Sequence, residues 1–121
     1  MTEIYVGLYA DFDDDVRKGV VVDGREVFVF RRGETFYAFE NTCAHAGGPV
    51  GEGTVIGKVQ AVLSPTKELI REEFSETELH IVCPWHGYEF NIETGQCAGD
   101  KRLSLRKYTV IERGQEIYVR R

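Results

Sequence analysis

The sequence predicts an all-β fold: an antiparallel β base of sandwich or barrel type, interrupted by an inserted segment, with at most one short helix. Three observations lead there. Short apolar runs rich in Val, Phe and Tyr recur at both ends of the chain, glycine-bearing turn signals fall between them, and no long amphipathic helical pattern occurs anywhere.

The elements follow in order. Runs at Ile4–Leu8, Val20–Val22, Glu26–Phe30 and Thr35–Phe39 read as strands, with Asp23-Gly24 and Arg32-Gly33-Glu34 placed where hairpin turns belong. The run VFVF within the third is apolar at successive positions, so both faces of that strand are expected to be covered. Tyr88–Ile92 before Glu93-Thr94-Gly95 is a further strand, and Lys107–Glu112 and Glu116–Arg120 around Arg113-Gly114-Gln115 form a closing hairpin. Between them, Ser64-Pro65 is expected to open a short helix through Lys67–Phe74, with Ile70 and Phe74 four apart on one side. The acidic cluster Asp11, Asp13, Asp14 and Asp15 reads as a solvated loop.

Length bounds the organisation to one domain, residues 1–121, in which a segment of approximately 41–99 is inserted into the β base. The net charge of −5 argues against nucleic acid or an anionic membrane as the main partner, since both select clustered Lys and Arg. A basic or polar-neutral protein surface is the better complement. The opening MTEIYVGLYADFDDD has no basic leader, and no run approaches the roughly 20 apolar residues of a membrane span, which predicts a cytoplasmic protein. Three cysteines make no disulfide framework, and Cys near His in a reducing compartment points first to metal.

Two short stretches carry that chemistry. CAHAGGPV, from Cys43, and CPWHGYEF, from Cys83, each supply one thiol and one imidazole on a glycine-bearing loop. Two thiolates and two imidazoles can close a tetrahedral zinc site or hold a two-iron cluster. A zinc finger draws its cysteines from one knuckle and its histidines from a helix, whereas a cluster with sulfur ligands on one iron and imidazoles on the other needs a mixed pair from each loop.

At these residues the sequence resembles the Rieske [2Fe-2S] family, whose pattern is C-x-H with a glycine-rich turn, then C-P-x-H-G. Here it reads Cys43-Ala44-His45-Ala46-Gly47-Gly48-Pro49 and Cys83-Pro84-Trp85-His86-Gly87. The resemblance implies a Rieske-type β fold and a [2Fe-2S] cofactor, with Cys43 and Cys83 on a buried iron and His45 and His86 on the outer one. Gly47, Gly48 and Gly87 are then expected to admit positive φ and to bring backbone N–H groups toward the cluster sulfurs, while Pro49 and Pro84 stiffen the loops. Neutral imidazoles in place of two thiolates raise the reduction potential above that of a four-cysteine cluster.

Rieske proteins of cytochrome bc complexes resemble this pattern but add a cysteine to each loop and hydroxyl donors beside the cluster. The corresponding positions here are Gly48 and Trp85, and Tyr88 and Phe90. The low end of the Rieske range, roughly −150 mV, is therefore expected. The separation of His45 from Cys83 exceeds that of compact family ferredoxins, and the excess lies around Thr54–Glu78, read as a surface excursion or a partner-recognition element.

Trp85 is expected either to shield the cluster or present apolar surface, or to pack beneath its own loop. Cys97 is expected as a buried small hydrophobe. His80 is expected at the surface. Gly51-Glu52-Gly53 does not continue into a nucleotide-binding fingerprint.

The resemblance implies a stand-alone ferredoxin, an electron-transfer component with no catalytic residues of its own. It would pass electrons from an NAD(P)H-dependent flavin reductase to a terminal oxygenase. Two other readings remain: a small subunit of an oxidoreductase such as a nitrite reductase-like complex, and a zinc-stabilised interaction module.

Overall fold

The computed structural model describes residues 3–13, 16–42, 47–63, 65–66, 69–85 and 87–121, with backbone alone for 58–63 and 70–77. Among these the chain forms nine strands in three antiparallel sheets of three: β1 (Ile4–Leu8), β2 (Lys18–Val22), β3 (Arg25–Arg32), β4 (Thr35–Glu40), β5 (Thr54–Leu63), β6 (Leu69–Val82), β7 (Glu89–Asn91), β8 (Thr109–Arg113) and β9 (Glu116–Arg120). Single 3₁₀ turns occupy Tyr9–Asp11 and Val50–Glu52.

The base is made of the sheets β1-β9-β8 and β2-β3-β4. The β2–β3 hairpin closes at Asp23-Gly24, with φ of +51° and +78°. A two-residue turn that matches strand twist needs positive φ at both positions, and Asp and Gly are among the residues that accept it. The sheets are stitched where Lys107 bridges Phe39, Tyr108 N–H donates to Ala38 and Glu40 N–H donates to Arg106.

The VFVF run of β3 divides the interior. Val27 and Val29 face a core with Phe12, Val22, Ala38, Tyr108, Ile117 and Val119, whereas Phe28 and Phe30 face a second core with Phe39, Ile81, Cys83, Phe90 and Ile92. All four side chains are buried. Alternation along a strand with both faces covered produces this split, and each buried Val or Phe contributes about 1.5–3 kcal/mol. The strand is thus a wall shared by the base and the sheet β5-β6-β7.

That third sheet contains the main correction to the sequence reading. No helix runs through Lys67–Phe74: β6 begins at Leu69, and Lys67 and Glu68 lie outside the described residues. β5 and β6 form a long hairpin in which Thr54–Gly57 pair with Leu79–Val82 and, beyond an irregularity, Val59–Leu63 pair with Leu69–Phe74. Cross-strand pairing with the Val-rich partner overrides the four-residue spacing of Ile70 and Phe74, and Pro65-Thr66 serve the turn at the tip. The Thr54–Glu78 excess is therefore this hairpin arm.

Of the acidic cluster, Asp11 and Asp13 are exposed as expected, and Asp11 accepts the Leu8 N–H at 3.0 Å. Asp14 and Asp15 lie outside the described residues.

Candidate metal centre

β6 delivers Cys83 to the end of the third sheet. Its N–H donates to the Tyr88 carbonyl at 2.9 Å and its carbonyl accepts the Gly87 N–H at 3.0 Å, so the chain reverses tightly between Cys83 and Tyr88. Gly87 has φ of +72°, which explains the glycine. Its positive φ is as expected, and its N–H closes this turn. Cys83 itself is 2% exposed and belongs to the core beneath β3. Pro84 and Trp85 stand out from the turn, with Trp85 55% exposed.

The first loop is held at its neck by Asn41. The Asn41 amide oxygen accepts the Gly51 N–H at 2.7 Å, its amide nitrogen donates to Glu26 at 2.9 Å, and its own N–H donates to the Glu26 carbonyl at 2.8 Å. Entry and exit of the loop that carries Cys43 and His45 are thereby tied to each other and to β3. Arg17 adds a second tie, donating to the Gly53 carbonyl at 3.1 Å while its guanidinium lies 4.9 Å over the Phe30 ring. Sequence reasoning missed Asn41, whose signal was an amide two residues ahead of a predicted ligand.

Close contacts between the two loops remove any room for side chains. A Cβ on Gly53 would lie 1.8 Å from the Val82 carbonyl oxygen, and one on Gly48 would lie 2.7 Å from the Trp85 indole. Gly47, in contrast, has space around it and φ of +76°. Gly48 is thus required for packing, not for positive φ. Trp85 reaches across to the first loop instead of packing beneath its own. Gly51 likewise backs onto Phe28, which accounts for the glycines that superficially suggested a nucleotide fingerprint.

Of the four predicted ligands, the structure places Cys83; Cys43, His45 and His86 lie outside the described residues. Ala44 and Ala46 do also. The surroundings fit a sulfur-ligated cluster: a buried soft ligand at the base of one loop, with the stem of the other in contact with it through Gly48–Trp85 and Gly53–Val82. No group of three His, Cys, Asp or Glu is gathered for a metal elsewhere among the described residues. Beside Cys83 a shallow groove of about 390 Å³ runs between Gly53, Thr54 and Ile56 on one side and Val82, Pro84 and Gly87 on the other.

Two neighbouring residues complete the picture. Cys97 is buried as a small apolar side chain, its N–H donating to the Leu103 carbonyl, and it has no disulfide partner. His80 departs from expectation: it is 1% exposed, with Nε2 2.7 Å from Glu78 and Nδ1 3.1 Å from Glu89. The segment Gln96–Ala98 runs beside β7, joined by the Phe90–Cys97 bridge and by the Ala98 N–H donating to the Glu89 carbonyl, and borders the same cavity as His80.

The fold and these loops define a class. Residues 2–109 match the Rieske [2Fe-2S] domain, and the chain belongs to that family, which carries a Rieske-type [2Fe-2S] cluster. This selects the two-iron cluster over the single zinc. The chain is 29% identical to the ferredoxin CarAc of Metapseudomonas resinovorans, with 98% of this chain and 95% of that one aligned. It is 30% identical to a human Rieske domain-containing protein over 78% of this chain, and spans about half the length (50%) of that relative.

Solved structures agree. The ferredoxin of carbazole 1,9a-dioxygenase from Nocardioides aromaticivorans IC177 superposes with a TM-score of 0.69 at 29% identity, covering 98% of this chain and 97% of that one. A ferredoxin in complex with the oxygenase of carbazole 1,9a-dioxygenase gives 0.70 at 27%, covering 97% and 91%. A small-subunit structure from Mycobacterium tuberculosis, assigned to an NADH-dependent nitrite reductase, gives 0.77 at 19%, covering 99% and 95%, which shows a shared fold.

Proposed function

We propose that this single-domain chain is a low-potential ferredoxin, a one-electron carrier of the cytoplasm that takes electrons from an NAD(P)H-dependent flavin reductase and passes them to a terminal oxygenase component. Cys43 and Cys83 are the sulfur ligands and His45 and His86 the imidazole ligands in this reading. The cluster, when bound, stores and releases one electron. The chain contributes the rest: Asn41 and Gly53 hold the two loop stems together, and Cys83 is kept out of water by Phe28, Ile81 and Phe90.

The observation that carries the low-potential assignment is the Gly48–Trp85 contact. These are the positions at which the resemblance gives cytochrome bc proteins a disulfide, and here a packed indole supplies the clasp. Phe90, wholly buried, brings no hydroxyl, so fewer donors are available to stabilise the added charge. The oxygenase reading is supported by likeness to the carbazole dioxygenase ferredoxins at 27–29% identity over nearly the whole chain. The likeness to the nitrite reductase subunit concerns fold alone. Net acidity of −5 suits a basic docking surface on the acceptor.

A redox titration of the holoprotein tests this. A midpoint of roughly −150 mV, with rapid oxidation of the reduced protein by a purified ring-hydroxylating terminal oxygenase, is expected. A midpoint above zero contradicts the assignment.

A further inference from the structure

The triad Glu78–His80–Glu89 stands outside the predicted ligand set, on the strands that lead into and out of the Cys83 turn. His80 is on β6, three residues before Cys83, and Glu89 is on β7, opposite Val82 in the ladder. The imidazole therefore bridges the two strands whose ends carry the Cys83–Tyr88 turn. Both its nitrogens face carboxylate oxygens, at 2.7 Å on Glu78 and 3.1 Å on Glu89.

The roles of the two ring nitrogens depend on where the protons sit. An ionised carboxylate only accepts, and a neutral imidazole has one N–H, so only the doubly protonated ring donates to both partners. Such bonds are charge-assisted and stronger than neutral ones. The ring is 1% exposed, whereas the Glu78 and Glu89 side chains are 40% and 33% exposed. Water and salt screen the two negative charges better than the positive one. The cavity beyond, about 240 Å³, is also bordered by Lys101 and Cys97.

We infer that His80 is a positioning residue of the electron carrier: a buried imidazolium that locks β6 to β7 beneath the second loop and raises the reduction potential of the centre. This rests on the reading that Cys83 and its partners hold the cluster. Three extended residues separate His80 from Cys83 by about 10 Å of strand. At that separation, with an effective dielectric constant of about 20, removing one charge changes a one-electron equilibrium about tenfold.

Midpoint potentials of holoprotein at pH 7 test the inference, comparing wild type with His80→Gln, beside nitrogen NMR of the His80 ring in the oxidised wild type. His80→Gln is expected to make reduction about tenfold less favourable against a fixed mediator, and both ring nitrogens to carry a proton. An unmoved or raised potential overturns the inference, and so does a ring with a single N–H. Should His80→Gln not retain a cluster, the ring nitrogens decide alone: two N–H groups support it, and one overturns it. Iron and sulfide on the wild type separate the two levels. A wild type without two irons overturns the ferredoxin reading and this inference together, whereas a loaded wild type with an unmoved His80→Gln potential overturns the inference only.

Discussion

The indole of Trp85 lies against the backbone of Gly48, so close that a Cβ there would meet Cδ2 at 2.7 Å. One contact thus joins the two loops, and it depends on the smallest residue facing the largest. Gly48→Ala should push the indole outward. The expected cost is about 1–3 kcal/mol, with a red-shifted fluorescence from the chain's single tryptophan. In a Trp85→Ala background the same substitution should cost less, and thermal melts of the four-member cycle measure the difference.

Gly53 is more constrained, because the obstacle is the Val82 carbonyl of the opposing stem and not a side chain that can swing away. Gly53→Ala should lose both stability and iron. Gly19→Ala is the control: nothing lies within 4 Å of its would-be Cβ, and the change should be near neutral. Comparable losses in both variants would contradict the close approach of the two stems.

Asn41→Ala removes the acceptor for Gly51 N–H and the donor to Glu26. A loss of about 1–3 kcal/mol is expected, since a partly buried N–H is left without its partner. Denaturant unfolding checks this. Asn41→Asp keeps the acceptor but sets a carboxylate against Glu26, and should fall between wild type and Asn41→Ala only when Glu26→Gln is added.

Much of this fold could be read directly. β1 and β9 begin and end where apolar runs do, and VFVF announced a strand buried on both faces. The β5–β6 arm was hidden because Ile70 and Phe74 satisfy a helical spacing as well as a strand, and only pairing with Val59–Leu63 decides between them. His80 was hidden for a related reason. Alternation from Ile81 puts it on the outer face, and one of the two carboxylates that meet its ring there, Glu89, comes from beyond the second loop. The family was legible because its two Cys/His motifs are short and local in the sequence. Asn41 was not, since its role depends on which backbone returns beside it.

Tyr37 stacks on Phe30, with ring centroids 5.3 Å apart, and burial followed by the charge of Glu93 raises its pKa. The neutral phenol is thus favoured in the fold. Its stabilising contribution is complete below the unfolded-state pKa of about 10 and is lost as pH rises through the folded-state value. Tyr37→Phe should remove that alkaline loss. Urea midpoints between about pH 8 and pH 11 should fall less steeply for the variant than for wild type.

Iron and acid-labile sulfide per chain, with visible spectra before and after dithionite, test the central claim most directly. Anaerobically purified protein should contain about two irons and two sulfides and show a red-brown colour that changes on reduction. A colourless protein with one tightly bound zinc would contradict the account.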